Sequence, residues 1–387
     1  MKILSTLSIA LLFSAGSAFA QSNDAVVTQD GNSNSSLIDQ AGTSNSAIVD
    51  QLANNNEVEL SQLSNAAGSS SATISQTRND NRVYLDQEGL NSAAISQTNV
   101  GSVVRSYDGS GAAVQYSEGA LNELSVLQAG AFNRLNIEQL AGGNSATITQ
   151  GVTVGNNVAN AAFVLQDSES NDVEIFQRDA RNKATVEQLG GGLHDALVNQ
   201  LGSDNTADVM QLGSDNSANV KQAGDDNVAG VTQDGSGNSA TQRMTSGDRN
   251  EVSQVQYGSS NISGIETWGD DNVYSTTQDG TGNFLFLNAR GTGTGFTNGG
   301  GNNGNTFTAN QTGNGNAISG GIDGSGNNVT LTQIGDGNSI LGGMGSYGAQ
   351  GLRIVGDGNT ATISQMTDGN SASINVAGNN NTATISQ

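Results

Sequence analysis

The chain has 387 residues, with no proline, no cysteine, 4% aromatic residues, 53 glycines and a formal net charge of −23. So few large apolar side chains exclude a conventional enzyme with one deep core, and zero cysteine removes disulfides, thiolate catalysis and cysteine-ligated metals together. The acidity argues against nucleic acid and anionic membrane as partners. Zero proline argues against disorder and reads as a demand that every backbone N–H be free to join a ladder.

At the N-terminus, Lys2 precedes an apolar stretch from Ile3 to Phe13, and Ala18-Phe19-Ala20 supplies a small-residue cleavage motif. Residues 1–20 therefore read as a secretory signal peptide cut before Gln21. No later segment reaches the roughly 18 apolar residues of a membrane span, so the mature chain reads as not membrane-spanning.

Residues 21–387 read as a single repeat domain. Glutamine recurs every eleven residues, as Gln29, Gln40, Gln51 and Gln62, then Gln139 and Gln150, Gln177 and Gln188, and Gln200, Gln211, Gln222 and Gln233. The unit is Gln-x-Gly-x-x-Asn-x-Ala-x-(Ile/Val)-x-Gln. Its glycine slot holds Gly31, Gly42, Gly202, Gly213 and Gly224, and its asparagine slot Asn34, Asn45, Asn144, Asn205, Asn216 and Asn227. Its apolar slots hold Ala47 and Val49, Ala146 and Ile148, Ala207 and Val209, Ala218 and Val220, and near the end Ile363 and Ile385. Ala, Ile/Val and Gln lie two apart, the period of a strand, so these three face inward and the residues between them face water. Gly-x-x-Asn supplies turn chemistry, because Gly and Asn both tolerate positive φ. Each copy reads as one strand plus one tight arc.

One such strand cannot bury its face alone, and stacking copy on copy solves this. Two copies form a strand–arc–strand rung of 22 residues with two parallel sheets facing each other, an all-β solenoid of amyloid type. The last third supports two unlike half-rungs, since Gln311, Gln333, Gln365 and Gln387 alternate with Ile322, Met344, Ile354 and Val376. The length predicts about 16 to 17 rungs and a height on the order of 80 Å. Inward Gln and Asn would bond up and down the stack as amide ladders. Three stretches lose the rhythm, 99–127 (with Arg105, Tyr107, Tyr116 and Glu118), 284–307 and 339–355, and read as irregular rungs or bulging arcs.

The repeat begins within a few residues of the cleavage site and closes on Thr384-Ile385-Ser386-Gln387, with no helix, proline or lysine-rich blocker at either end. Two uncapped, complementary ends make a head-to-tail contact that does not close, and the expected product is a cross-β fibre. Asp and Glu at arcs and outward positions would act as a brake on premature assembly.

The repeat, carried residue by residue on Gln200, Gly202, Asn205, Ala207 and Gln211 and their equivalents, resembles that of the curlins, subunits of curli amyloid fibres of Gram-negative bacteria. The resemblance implies export through the periplasm and an outer-membrane channel, polymerisation on a nucleator at the cell surface, and a place in biofilm matrix, adhesion and surface colonisation. It leaves the major subunit and the nucleator as alternatives. Curlin rungs usually alternate Asn with Ser, whereas Asn fills both half-rungs here, as at Asn34 and Asn45.

Other chemistry finds few residues. His194 is the one histidine and reads as an exposed loop residue in a Gly-rich arc, far from any triad. Zinc ligands are missing and the Asp-rich arcs lack a calcium-binding repeat, so no metal, cofactor or catalytic residue is assigned. Trp268 reads as a surface aromatic. The competing class is a monomeric solenoid that binds ice or polysaccharide. An ice binder needs an outward array of Thr-x-Thr, of which only Thr147/Thr149 and Thr330/Thr332 stand out.

Overall fold

The computed structural model describes residues 22–66, 68–106, 111–117, 119–151, 159–289, 303–341 and 351–387. The signal segment 1–20, Tyr107, Glu118 and Met344 lie outside these residues. Thirty-two strands, β1 to β32 in chain order, make up two sheets, and no helix occurs among the described residues. The first sheet opens with β1 (Asp24–Asp30) and β3 (Ser46–Leu52), the second with β2 (Ser35–Ala41) and β4 (Glu57–Leu63). Successive strands fall alternately in the two sheets, and every pairing between strands is parallel. The chain thus coils as a two-sheet solenoid.

Strict alternation along each strand builds the core. In β3 the inward Ala47, Val49 and Gln51 are buried while Ile48 and Leu52 point out. Register then carries like onto like: Val27, Val49 and Ile74 align, as do Gln29, Gln51 and Gln76. Such a core is thin, made mostly of Ala, Val and Ile in columns, and it stays dry because each rung covers the next.

Each sheet's main path contains 15 strands, so there are 15 rungs rather than 16 to 17. The difference lies in rung length, which is 22 residues between Gln211 and Gln233 but 33 between Gln278 and Gln311. The irregular stretches are rungs with insertions. β8 (Val103–Arg105) and β9 (Ala113–Tyr116) are two halves of one strand: both pair with β6 (Arg82–Glu88) and with β11 (Arg134–Gln139). β28 (Ser339–Ile340) and β29 (Leu352–Val355) share β26 (Ala317–Asp323) in the same way. Between β24 (Phe284–Ala289) and β25 (Thr306–Thr312) the chain is longer, yet the register on both sides of the stretch is kept. Extra chain is tolerated between strands because lengthening a loop costs little entropy, whereas a slip of one residue would turn the inward set outward.

The arcs differ from the expectation in one respect. Gly202, Gly213 and Gly224 do hold positive φ (110, 103 and 108°), but the second such residue is the one before the asparagine, as at Asp204, Asp215 and Asp226 (60, 56 and 57°). The asparagine itself turns inward. Glycine is also required sterically: a Cβ on Gly213 would lie 2.0 Å from the Gly235 carbonyl oxygen of the next rung. Gly213→Ala should therefore destabilise the fold by about 1–3 kcal/mol. Gly230→Ala, at an outward strand position with nothing within 4 Å, should be neutral or stabilising by about 0.5 kcal/mol. Denaturant unfolding of the two variants checks this contrast.

Candidate self-assembly surfaces

The second sheet carries an unbroken glutamine ladder of fifteen residues, from Gln40 and Gln62 through Gln139, Gln188, Gln211, Gln233, Gln311, Gln333 and Gln365 to Gln387. Each Nε2–H donates to the Oε1 of the next rung at 2.7–3.0 Å. The other Nε2 hydrogen reaches a carbonyl of the facing sheet, as from Gln211 to Asp195 at 3.0 Å. Burying an amide is costly unless it is paired, and here both donors and the oxygen are used.

The first sheet has the same ladder over nine residues, Gln29, Gln51, Gln76, Gln97, Gln128, Gln150, Gln177, Gln200 and Gln222. There it stops. Met244 stacks on Gln222, and Thr267, Ala289, Ile322, Ile354 and Val376 continue the column to the last rung. The alternation read from the last third thus separates the two sheets: the glutamines belong to one and the apolar residues to the other.

Asparagine forms one column in each set of arcs. In the first, the N–H of Asn205 donates to Asn182 Oδ1 and that of Asn227 to Asn205 Oδ1, each at 3.0 Å. In the second, Asn45, Asn144 and Asn216 stand in a column that also contains His194. Asn34, Gln29 and Gln40 in the first rung are half-buried and Gln387 in the last is exposed; the remaining ladder residues named above are buried. The apolar residues Ala47, Val49, Ala146, Ile148, Ala207, Val209, Ala218, Val220 and Ile363 are buried, and Ile385 is half-buried against them.

His194 corrects the expectation of an exposed loop residue, being 1% exposed. A single extra glycine in Gly190-Gly191-Gly192 disguises its slot, but counting six back from Gln200 lands on it, as it lands on Asn205 from Gln211. The ring replaces an asparagine: its backbone N–H donates to Asn171 Oδ1 (3.0 Å), Nε2–H donates to the Leu189 carbonyl (3.1 Å), and Nδ1 accepts from Asn216 N–H (3.4 Å). Burial lowers its pKa below the ordinary value, against smaller opposing effects of the Leu189 and Gly213 carbonyls and Asp215. The unfolded chain therefore binds a proton that the fold rejects, so stability is full above about pH 6.5 and falls as pH drops through that value. His194→Asn should restore the asparagine column and remove this component of the pH dependence, as measured by thermal unfolding at pH 5 and pH 8.

Two further glutamines escape the repeat reading. Gln242 and Gln254 occupy the Ile/Val column, aligned with Val220 and Val231 respectively. Gln254 Nε2 donates to Ser263 Oγ (2.8 Å), and Gln242 Nε2 to the Gly230 carbonyl (2.6 Å), but both Oε1 atoms are buried without a partner. The defect lies beside the point where the first ladder ends. Gln242→Val with Gln254→Val should stabilise the chain by about 2 kcal/mol or more in chemical denaturation, since each unpaired buried acceptor costs about 1–3 kcal/mol.

Outside, the acidic arcs are partly neutralised. Asp225 Oδ1 accepts from Ser203 N–H, Asp248 from Asp225 N–H and Asp270 from Asp248 N–H, at 2.7–2.9 Å, so carboxylates climb the arc one per rung. Arg181 pairs with Asp204 (2.6 Å) and Arg249 with Asp271 (2.7 Å), each across one rung. The hydrogen bond from Arg181 holds the Asp204 carboxyl below the usual carboxylate range. Arg82 reaches Glu57 of the neighbouring rung at 3.6 Å, while Arg178 lies 3.6 Å from its chain neighbour Asp179. Trp268 is half-exposed on the outer side of the first sheet. Among the described residues no group of three or more His, Cys, Asp or Glu is placed to hold a metal ion, and no helix is long and apolar enough to cross a membrane.

The end rungs complete the surfaces. β1 and β2 at one end, and β31 (Ile374–Ala377) and β32 (Thr382–Ser386) at the other, pair on one side only. Gln40 Oε1 has no partner among the described residues, while the Gln387 side-chain amide donates only to the Ser371 carbonyl and can donate again. Asn381 is bonded through its amide nitrogen and backbone N–H to Asn359 Oδ1, which leaves its own Oδ1 as an acceptor.

Fold and ladders define a parallel two-sheet β-solenoid of stacked amide-ladder rungs. The curlin associated repeat matches residues 20–52, 31–63, 181–213, 213–241 and 356–387, so these stretches carry the repeat of the curlin family. The 33-residue rung from Gln278 to Gln311 and the Gln242/Gln254 defect lie outside the matched stretches, as do regular rungs such as that from Gln311 to Gln333. No curated protein matches the chain.

Proposed function

We propose that the chain is a secreted structural protein, with no catalytic role, that assembles head-to-tail into curli-type cross-β fibres at the cell surface. There it would serve biofilm matrix, adhesion and colonisation. Residues 1–20 would direct export, residues 21–387 would form the fibre unit, and a nucleating subunit and an outer-membrane channel would be its partners besides itself. The observation that carries this reading is the match between the two end rungs. Placed on β2 of a second copy, β32 sets Ala383 on Ser36, Ile385 on Ile38 and Gln387 on Gln40, the same register that joins β30 (Thr360–Gln365) to β32 within one chain. Gln387 Nε2 then meets Gln40 Oε1, and the backbone N–H of Asn34 meets Asn381 Oδ1. The second-sheet ladder and one asparagine column would thus run on through the junction. In the first sheet Gln29 would meet Val376, so the amide ladder would cross the junction on one side only.

Chain diluted from denaturant should form unbranched filaments after a lag that preformed seeds shorten. Gln387→Ala removes one junction bond and should slow seeded elongation about fivefold, the equivalent of about 1 kcal/mol; because it also removes the monomer's bonds from Gln365 and to Ser371, elongation is compared under conditions where denaturation curves show both chains fully folded. A folded chain that seeds cannot recruit would overturn the reading.

A further inference from the structure

One face of the solenoid differs from the rest. In the last five rungs of the second sheet, β23 (Val273–Thr281), β25, β27 (Asn328–Ile334), β30 and β32, the first, third and fifth residues of each strand point outward. Of these fifteen positions, twelve are Ser or Thr and none is charged. Thr308, Thr330, Thr362 and Thr384 align in consecutive rungs as its central column. Thr330/Thr332 is therefore not the isolated pair that the sequence indicates: the insertions between and within strands hide the alignment. Earlier rungs of the same face carry Glu57, Glu59, Arg82, Asp86, Lys183 and Glu187.

We infer that this threonine–serine face is where one filament packs sideways on another, the same face of a second copy being its occupant; the inference rests on the fibre reading. Bodies of this chain, each with a net charge of −23, repel one another, and a charge-free sheet face is where they approach at least cost. Two such faces stack at about 10 Å with threonine methyls interdigitated and hydroxyls bonded between them. The face measures about 24 Å by about 17 Å from strand geometry, on the order of 400 Å², half of the roughly 800 Å² per partner that a stable pair needs. Single chains would therefore not dimerise through it, whereas a filament repeats it in every subunit and adds the contacts. The face offers no aromatic platform for a sugar, and Asn310, Asn328, Ser364 and Ser386 interrupt the methyl-bearing ranks that would order an ice layer.

The test compares filaments of the unmodified chain, of Thr308→Glu/Thr330→Glu/Thr362→Glu, and of a control with equal added charge on the first sheet, Thr73→Glu/Ser125→Glu/Thr147→Glu. Electron microscopy at physiological salt should show paired or bundled filaments for the unmodified chain and the control, and single filaments with the same width for the threonine-face variant. If the triple variant does not assemble, Thr330→Glu alone replaces it and should reduce pairing. Unmodified filaments that stay single, variant filaments that still pair, or a control that unpairs equally would each overturn the assignment. So would inhibition of ice recrystallisation by the monomer that the Thr308/Thr330/Thr362 variant loses. An unmodified chain that forms no filament would instead overturn the fibre reading, and the lateral contact with it.

Discussion

In-register parallel stacking is the constraint on which the rest of this molecule depends. Each residue has its counterpart about 4.8 Å above and below, so a slot admits only side chains that tolerate their own kind as neighbours. Amides do so, because each is both donor and acceptor; Gln and Asn fill the buried polar columns for that reason. Small β-branched residues and alanine do so by packing. Carboxylates need something to offset their charge, which is a backbone N–H for Asp225 and Asp248 and an arginine one rung away for Asp204 and Asp271; where Asp172 stacks directly on Asp195, burial and then the Asp172 charge push the Asp195 carboxyl up.

The same constraint explains where the chain departs from regularity. Insertions sit outside the ladders, between strands or as interruptions of a strand whose two halves keep their register, as β8 and β9 do against β6. Substitutions inside the first-sheet glutamine column come as one run. Once Met244 ends the first-sheet ladder, no later rung restores glutamine there, since a lone amide among apolar neighbours would have no partner up or down the stack. Larger side chains are likewise grouped, with Tyr274 and Phe307 in adjacent rungs of the alanine column, edge to face at 6.4 Å. Burial pushes the Tyr274 hydroxyl up to about 12.

The rung, its strand–arc division and the inward residues were legible in the sequence because the spacing of Gln29, Gln40, Gln51 and Gln62 states the period directly. The rung number was not, since a period counted in residues ignores chain inserted between strands. His194 was misread for the same reason: the glycine insertion shifts it by one when counted from Gln188 but not from Gln200. The identity of the residue with positive φ was hidden because Gly-x-x-Asn fits two arc geometries, and only inward rotation of the asparagine distinguishes them. The threonine face was hidden because its members are far apart in number and meet only after two insertions are removed. Gln242 and Gln254 fall outside the eleven-residue glutamine series, and only register puts them in the Ile/Val column.

A fibre of this chain would be the solenoid continued, with the junction between copies differing little from any step between rungs. X-ray diffraction from aligned filaments tests that claim most directly. Rungs that run along the filament axis predict a sharp meridional reflection at about 4.8 Å and an equatorial one at about 10 Å. An aligned specimen whose 4.8 Å reflection falls on the equator would place the rungs across the filament. It would contradict head-to-tail stacking.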